Sequence, residues 1–330
     1  MRALYYEKFG EVDVLQVGEQ PEPEPGWGEA LIRVSLAGVN YVDTLLFRGL
    51  FDPRLPLPHI NGTDCVGVVE RVGPGGEESL VGRKVAVNPL LGPGRIIGEH
   101  AKGGHAEFLL APEANCEPLP EGLSDEAACA AIVSLGSPYD AIIRDGGLKP
   151  GETLLVWAGG SGTGVGAIQV GKLVGARVIA TAGSEEKMER ALALGADLVV
   201  NHRTDDVAKK VRQATEGRGA DVVFESTGAD TLPQSIKAAA DEGRILVYGV
   251  VTGYEGKLDL GRVIMKRLKL IGSFFGPSPA QFRQVLELTA RGLLKPVIAE
   301  VVSLEEAPEA YRRSLAREVF GKVLISIGGE

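Results

Sequence analysis

The chain has 330 residues, 44% of them hydrophobic, and a formal net charge of −9. A length of this order makes about two domains, and the acidic balance excludes an extended nucleic-acid or anionic-membrane surface, so any basic site has to be local. No run approaches the roughly 18 apolar residues of a membrane span, and the opening Met1-Arg2-Ala3-Leu4-Tyr5-Tyr6-Glu7-Lys8 lacks the apolar core of a secretory signal, so a cytoplasmic protein is expected. Cys65, Cys116 and Cys129 are odd in number and lack paired spacing, which suits buried, reduced thiols.

Before residue 121 the chain shows short alternating runs, such as 30–36 and Cys65–Val72, broken by turn formers at 21–26, 56–58 and 73–76. That pattern predicts an antiparallel, turn-rich β domain. Within it Asn40 and Asp43 stand three apart, which reads either as an Asx turn closing a strand or as paired polar groups at a cleft; spacing alone does not choose. From residue 153 onward, strand-like runs recur at 153–157, Arg177–Ala182, Leu198–Asn201, 221–226, 244–248 and 268–273, separated by helix-compatible stretches such as 185–194 and 232–240. Strands alternating with helices predict a doubly wound parallel sheet. An amphipathic helix near 280–292, a helix opening at Ser303 with Glu306 as its capping box, and a last strand over 322–327 complete the chain.

The junction between the two patterns carries the chemistry. Leu154-Leu155-Val156-Trp157-Ala158 runs into Gly159-Gly160-Ser161-Gly162-Thr163-Gly164-Val165-Gly166. A strand, a glycine turn and a helix N-terminus in that order aim free backbone N–H groups and a positive helix-dipole end at a pyrophosphate, with no side chains in the way. Gly159, Gly160, Ser161, Gly162, Thr163 and Gly164 are therefore expected to bind a dinucleotide. A site for NAD would usually close the next strand with Asp or Glu for the ribose hydroxyls, but Arg177–Ala182 is followed by Gly183-Ser184. With no carboxylate to repel a 2′-phosphate, and with Lys187, His202 and Arg203 able to reach the same corner, NADP(H) is expected over NAD(H). Ser184 also reads as a helix N-cap, because Glu185 and Glu186 follow in the first turn, and the two roles are compatible.

Taken together, Gly38-Val39-Asn40-Tyr41-Val42-Asp43, Gly62-Thr63-Asp64-Cys65-Val66-Gly67, Gly98-Glu99-His100, Gly104-His105-Ala106-Glu107-Phe108, the glycine turn and Phe320-Gly321-Lys322-Val323 resemble the medium-chain dehydrogenase/reductase superfamily, specifically its zinc-independent quinone oxidoreductase branch. The resemblance implies an α/β fold in which a Rossmann-type sheet is inserted in a GroES-like antiparallel β catalytic domain, over 1–123, 124–265 and 266–330, the last segment returning to the catalytic domain. It implies Asn40, Tyr41 and Asp43 as catalytic residues, with Asn40 at the nicotinamide ribose or the substrate oxygen and Tyr41 as the nearest phenol to donate a proton. It further implies cofactor contacts from Ser137, Thr227, Gly249, Val250, Ser273, Phe274, Gly321 and Lys322, and an apolar pocket lined by Tyr41, Leu45, Phe47, Leu50 and Phe274. Relatives pair an edge strand such as 268–273 across a two-fold axis, which implies a homodimer.

The departures are equally informative. Zinc alcohol dehydrogenases of this superfamily place Cys where Asn40 stands, His where Thr63 stands and a second Cys near Val133, and they carry a four-cysteine lobe that is missing here. The residual candidates Asp64, Cys65, His100 and His105 have no metal-ligand spacing, so no metal is expected. The expected activity is hydride transfer from NADPH to a quinone or α,β-unsaturated carbonyl. Two other readings stay open: a zinc-type alcohol dehydrogenase, and a non-enzymatic NADPH-binding protein.

Overall fold

A computed structural model describes residues 1–328. The chain divides into two compact units, one of Met1–Val133 with Gly276–Gly292 and the residues from Val297 on, the other of Ser134–Phe275 with Leu293–Pro296. The divisions fall inside the helix Asp125–Tyr139 and after Phe275, not at the expected 123/124 and 265/266. The later shift has a plain cause: the strand Lys269–Gly272 pairs in parallel with Ala239–Val247 and so belongs to the nucleotide-type sheet.

The first unit is built on a seven-stranded sheet whose path runs Ile298–Ser303, Lys322–Ser326, Glu29–Gly38, Cys65–Val72, Lys84–Val87 and Cys116–Pro118, with Phe108–Pro112 also pairing Glu29–Gly38. On the long central strand Glu29–Gly38, Ala30, Ile32 and Val34 share one face, and past a register shift between Val34 and Leu36 Ala37 joins them in a core with Val69, Val85 and Ile325. The final strand docks antiparallel beside it, with Leu324 opposite Gly38. The same core takes aromatic side chains from distant segments, and the rings of Phe47 and Tyr311 meet edge to face at 5.6 Å. One expected element is displaced. Ser303 ends the strand Ile298–Ser303, which the sequence pattern did not reveal, and the helix runs Ala307–Leu315. The capping-box hydrogen bonds do form, Ser303 N–H and O–H both donating to Glu306 Oε2 at 2.8 Å, but they close the turn before the helix.

The second unit holds a six-stranded parallel sheet in the order Leu198–Asn201, Arg177–Ala182, Thr153–Val156, Ala220–Glu225, Ala239–Val247, Lys269–Gly272. Leu154, Leu155 and Val156 are fully buried, as expected for a strand covered by helices on both faces. The first strand in sequence is therefore flanked on both sides, and the strand order reverses there. Ligands of open α/β sheets collect at such a point, beyond the carboxyl ends of the strands.

Candidate active site

Backbone geometry at the end of Thr153–Val156 is set by hydrogen bonds to the neighbouring strand. Ala158 N–H donates to Thr181 Oγ1 at 3.1 Å and Gly159 N–H to Thr181 O at 2.7 Å, which turns the chain sharply, with Ala158 at φ 51°. Ser161 then caps the helix Gly162–Val174, its hydroxyl accepting from Gly164 N–H at 3.0 Å. Gly164 is glycine because a Cβ there would lie 2.0 Å from Ala158 O. The N–H groups of Gly160, Gly162 and Thr163 find no acceptor among the described residues. Unspent donors at a helix N-terminus, with backbone close-packed around them, fit a bound pyrophosphate.

The other strand ends of this unit carry the remaining expected cofactor contacts. Past Ala220–Glu225, Thr227 and Gly228 abut Gly249 and Val250: a Cβ on Gly228 would meet Gly249 O at 3.0 Å and Val250 Cα at 3.1 Å. Sequence reasoning missed what shapes this turn. The buried Glu225 carboxylate accepts from Thr227 N–H and Gly228 N–H at 3.0 Å and from Thr231 O–H at 2.7 Å through one oxygen, and from Ser235 O–H through the other. Burial pushes its pKa up, and these donors pull the other way. Ser137, on the helix Asp125–Tyr139, has a buried hydroxyl with no partner, which fits an absent polar ligand group. Ser273 O–H is instead committed to Asp145 at 2.5 Å, and the ring of Phe274 is half exposed.

After Arg177–Ala182, Ser184 caps the helix Glu185–Ala193 by accepting from Lys187 N–H. At Gly183 the side chains of the next loop converge: a Cβ there would lie 3.0 Å from Arg203 Nε and 3.2 Å from His202 Nε2. Gly183, Ser184, His202 and Arg203 thus form one corner, to which Lys187 brings its N–H, and the strand end contributes no carboxylate side chain to it. Burial first, and then the Arg203 charge, hold the His202 pKa below its usual value.

In the β unit, Asn40 precedes the helix Tyr41–Phe47 and its N–H donates to Asp43 Oδ2 at 2.7 Å, closing the turn. The same pair enters a buried polar cluster. Asn40 Nδ2 donates to Asp64 Oδ2 at 2.7 Å, and Lys322 Nζ donates to Asn40 Oδ1 while ion-pairing with Asp64. Tyr311 O–H donates to Asp43 Oδ2 at 2.9 Å and stands 3.5 Å from His105 Nδ1, and His105 Nε2 lies 3.2 Å from Gly38 O. Asp43 Oδ1 is buried with no partner. Burial raises the Asp43 carboxyl to about 7, against the lowering pull of Asn40 N–H, Tyr311 and Lys322, and burial drops His105 to about 4.

The other expected groups of this unit differ in their surroundings. Lys322 is turned inward, its charge neutralised by Asp64, and Gly321 sits at φ 96° against Val297 O. Phe47 and Leu45 are buried, whereas Leu50 is half exposed. Tyr41 is partly exposed, with the Arg317 guanidinium 5.3 Å from its ring centre. Tyr311 was not foreseen, because 268 residues separate it from Asp43. Among the described residues no group of three His, Cys, Asp or Glu is placed to hold a metal ion.

The chain matches the family model for the alcohol dehydrogenase GroES-like domain over residues 26–121 and that for zinc-binding dehydrogenases over residues 162–291. It is 34% identical to acryloyl-coenzyme A reductase of Sulfurisphaera tokodaii, covering 93% of this chain and 95% of that protein. It is 29% identical to quinone oxidoreductase of Rattus norvegicus, covering 94% and 93%. Among solved structures, an NAD-dependent alcohol dehydrogenase superposes with a TM-score of 0.93 at 42% identity over 99% of this chain and all of that one. A mycobacterial protein solved in complex with NADPH superposes with a TM-score of 0.87 at 27% identity, again over 99% and 100%.

Proposed function

Because the chain belongs to the medium-chain dehydrogenase/reductase superfamily and is an oxidoreductase of the nicotinamide-dependent kind, we propose that it reduces quinones or α,β-unsaturated carbonyls with NADPH, without a catalytic metal. The observation that carries this reading is the composition of the polar cluster in the β unit. Where zinc relatives hold a cation in an open ligand set, this chain has Asn40, Thr63 and Val133, and the local charges Lys322 and Asp64 are paired with each other. An amide N–H is a weaker electrophile than a metal ion. It suits acceptors whose incoming charge is spread over a conjugated system, such as an enolate or a hydroquinone anion, better than a localised alkoxide.

The N–H groups of Gly160, Gly162 and Thr163 would hold the pyrophosphate, and the corner of Gly183, Ser184, Lys187, His202 and Arg203 the 2′-phosphate. Thr227, Gly249, Val250 and Ser137 would take the nicotinamide end, with Ser273 and Phe274 at the last strand. When bound, the nicotinamide supplies hydride. Asn40 would donate to the oxygen that gains charge, and Asp43, held by Tyr311, fixes the turn that carries Asn40. Tyr41 follows Asn40 directly and is partly exposed, whereas the Tyr311 phenol is buried and committed to Asp43, so Tyr41 is assigned as proton donor. A conjugated thioester such as that of the Sulfurisphaera tokodaii relative falls within the same acceptor class.

The test is an acceptor screen that follows NADPH absorbance over quinones, enones, conjugated thioesters and saturated ketones. Turnover confined to the conjugated acceptors is expected. NADPH binding with no turnover on any acceptor would favour a non-enzymatic binding protein, and turnover only on saturated ketones an alcohol dehydrogenase.

A further inference from the structure

Asn40 is gripped by two opposite charges, and their chemistry fixes which way its amide faces. An ammonium can only donate and a carboxylate can only accept, so Oδ1 must lie toward Lys322 and Nδ2 toward Asp64. A flipped amide would set N–H against ammonium and carbonyl against carboxylate. The grip is also sealed. The Lys322 and Asp64 side chains are 3% and 0% exposed, and Asp64 Oδ1 is taken by Val133 N–H at 2.8 Å. Residue 38 is glycine where it passes the pair: a Cβ there would lie 2.5 Å from Asp64 Oδ2 and 2.7 Å from Lys322 Cε.

We propose that Lys322 and Asp64 are positioning residues that make Asn40 a donor-only group. With Oδ1 and one amide hydrogen engaged, the group left to meet a ligand is the second N–H. Donation from Lys322 into Oδ1 draws electron density out of the amide and strengthens that N–H. A donor-only group matches a carbonyl oxygen, which only accepts and accepts more strongly as negative charge builds on it. It offers no acceptor to a ribose hydroxyl. The paired charges achieve this without leaving a net charge in the unit's interior. The proposal deepens, and rests on, the reading that Asn40 contacts the acceptor.

The test compares wild type, Lys322→Arg, Lys322→Met and the neutral pair Lys322→Met/Asp64→Asn, each with and without Asn40→Ala. Turnover on a quinone and on an enone, cofactor affinity, and the Asn40 side-chain amide signal of the cofactor-free protein are measured. The neutral pair guards against misfolding, because Lys322→Met alone leaves a buried carboxylate unpaired. We expect the neutral pair to lower kcat by about 10- to 100-fold, as for a reacting-site group misplaced by an ångström or so. Cofactor affinity should change little, Lys322→Arg should recover turnover in part, and Asn40→Ala should add no further loss in the neutral-pair background. The two Asn40 amide protons, widely split in wild type, should move together in the neutral pair. Wild-type turnover in the neutral pair, losses that add to that of Asn40→Ala, or a loss confined to cofactor affinity would each overturn the proposal; the last would mean that Lys322 serves the cofactor directly. Full turnover by Asn40→Ala alone would bring down the underlying reading and the proposal with it, while the amide signal would still report whether the orientation is locked.

Discussion

Asp43 shows how burial rewrites the chemistry of one side chain. Its carboxyl is raised from 3.8 to about 7, so between those values the folded chain holds a proton that the unfolded chain has released. Stability from this group therefore falls as pH rises through that window, by up to about 1.4 kcal/mol per pH unit, and levels off above pH 7. His105, depressed to about 4, works in the opposite sense between pH 4 and 6.5, and Glu99, raised to about 7 by burial, works in the same sense as Asp43. The difference between wild type and Asp43→Asn isolates the Asp43 contribution. Relative to the variant, the wild type should lose stability steadily from pH 4 to pH 7, as read from urea unfolding at a series of pH values; parallel curves would contradict the assignment. Asn40 and Asp43 were legible from their spacing and from resemblance. Tyr311, Asp64 and Lys322 as their partners were not, because contacts across tens to hundreds of residues leave no periodic trace in a sequence.

At the scale of elements, the strand, glycine turn and helix of residues 153–174 follow from local rules alone: a buried apolar strand, close backbone approach at Gly164, and a Ser161 cap. Five of the six parallel strands were readable within a residue or so for the same reason. The remaining one, Ala239–Val247, begins earlier than its apolar run because Ala239 already pairs with Ala220, ahead of the charged Asp241-Glu242. The strand Ile298–Ser303 escaped notice because its alternation is interrupted by Glu300, whose charge is met by Arg313 from the following helix. The corner at Gly183 has a measurable consequence. NADPH should bind at least tenfold tighter than NADH, or about 1.4 kcal/mol, and Arg203→Ala should erase most of that preference while sparing NADH. Fluorescence titration of both cofactors decides it, and equal affinities would refute the phosphate-pocket assignment.

At the scale of the molecule, the last strand Lys269–Gly272 pairs on one side only, and the helix Leu260–Met265 leading into it leaves Ile264 and Met265 largely exposed. Leu268 is buried in the core of this unit, and the apolar edge is made by Ile264, Met265 and Leu270. Such an edge invites a partner strand, and a two-fold pairing of identical chains is the reading we favour. Light scattering should give about twice the 34.8 kDa chain mass at micromolar concentration, and the chain mass itself would reject the dimer. No helix of the described residues is long and apolar enough to cross a membrane. The central claim, conjugated-acceptor reduction by NADPH on a site that polarises its substrate through Asn40 rather than a metal, meets its most direct test in one assay: NADPH turnover on a quinone and an enone by protein exhaustively treated with a strong chelator and assayed for bound metal. Turnover equal to that of untreated protein, with no stoichiometric zinc, is the predicted result; about one zinc per chain, lost together with activity and restored by zinc, would contradict it.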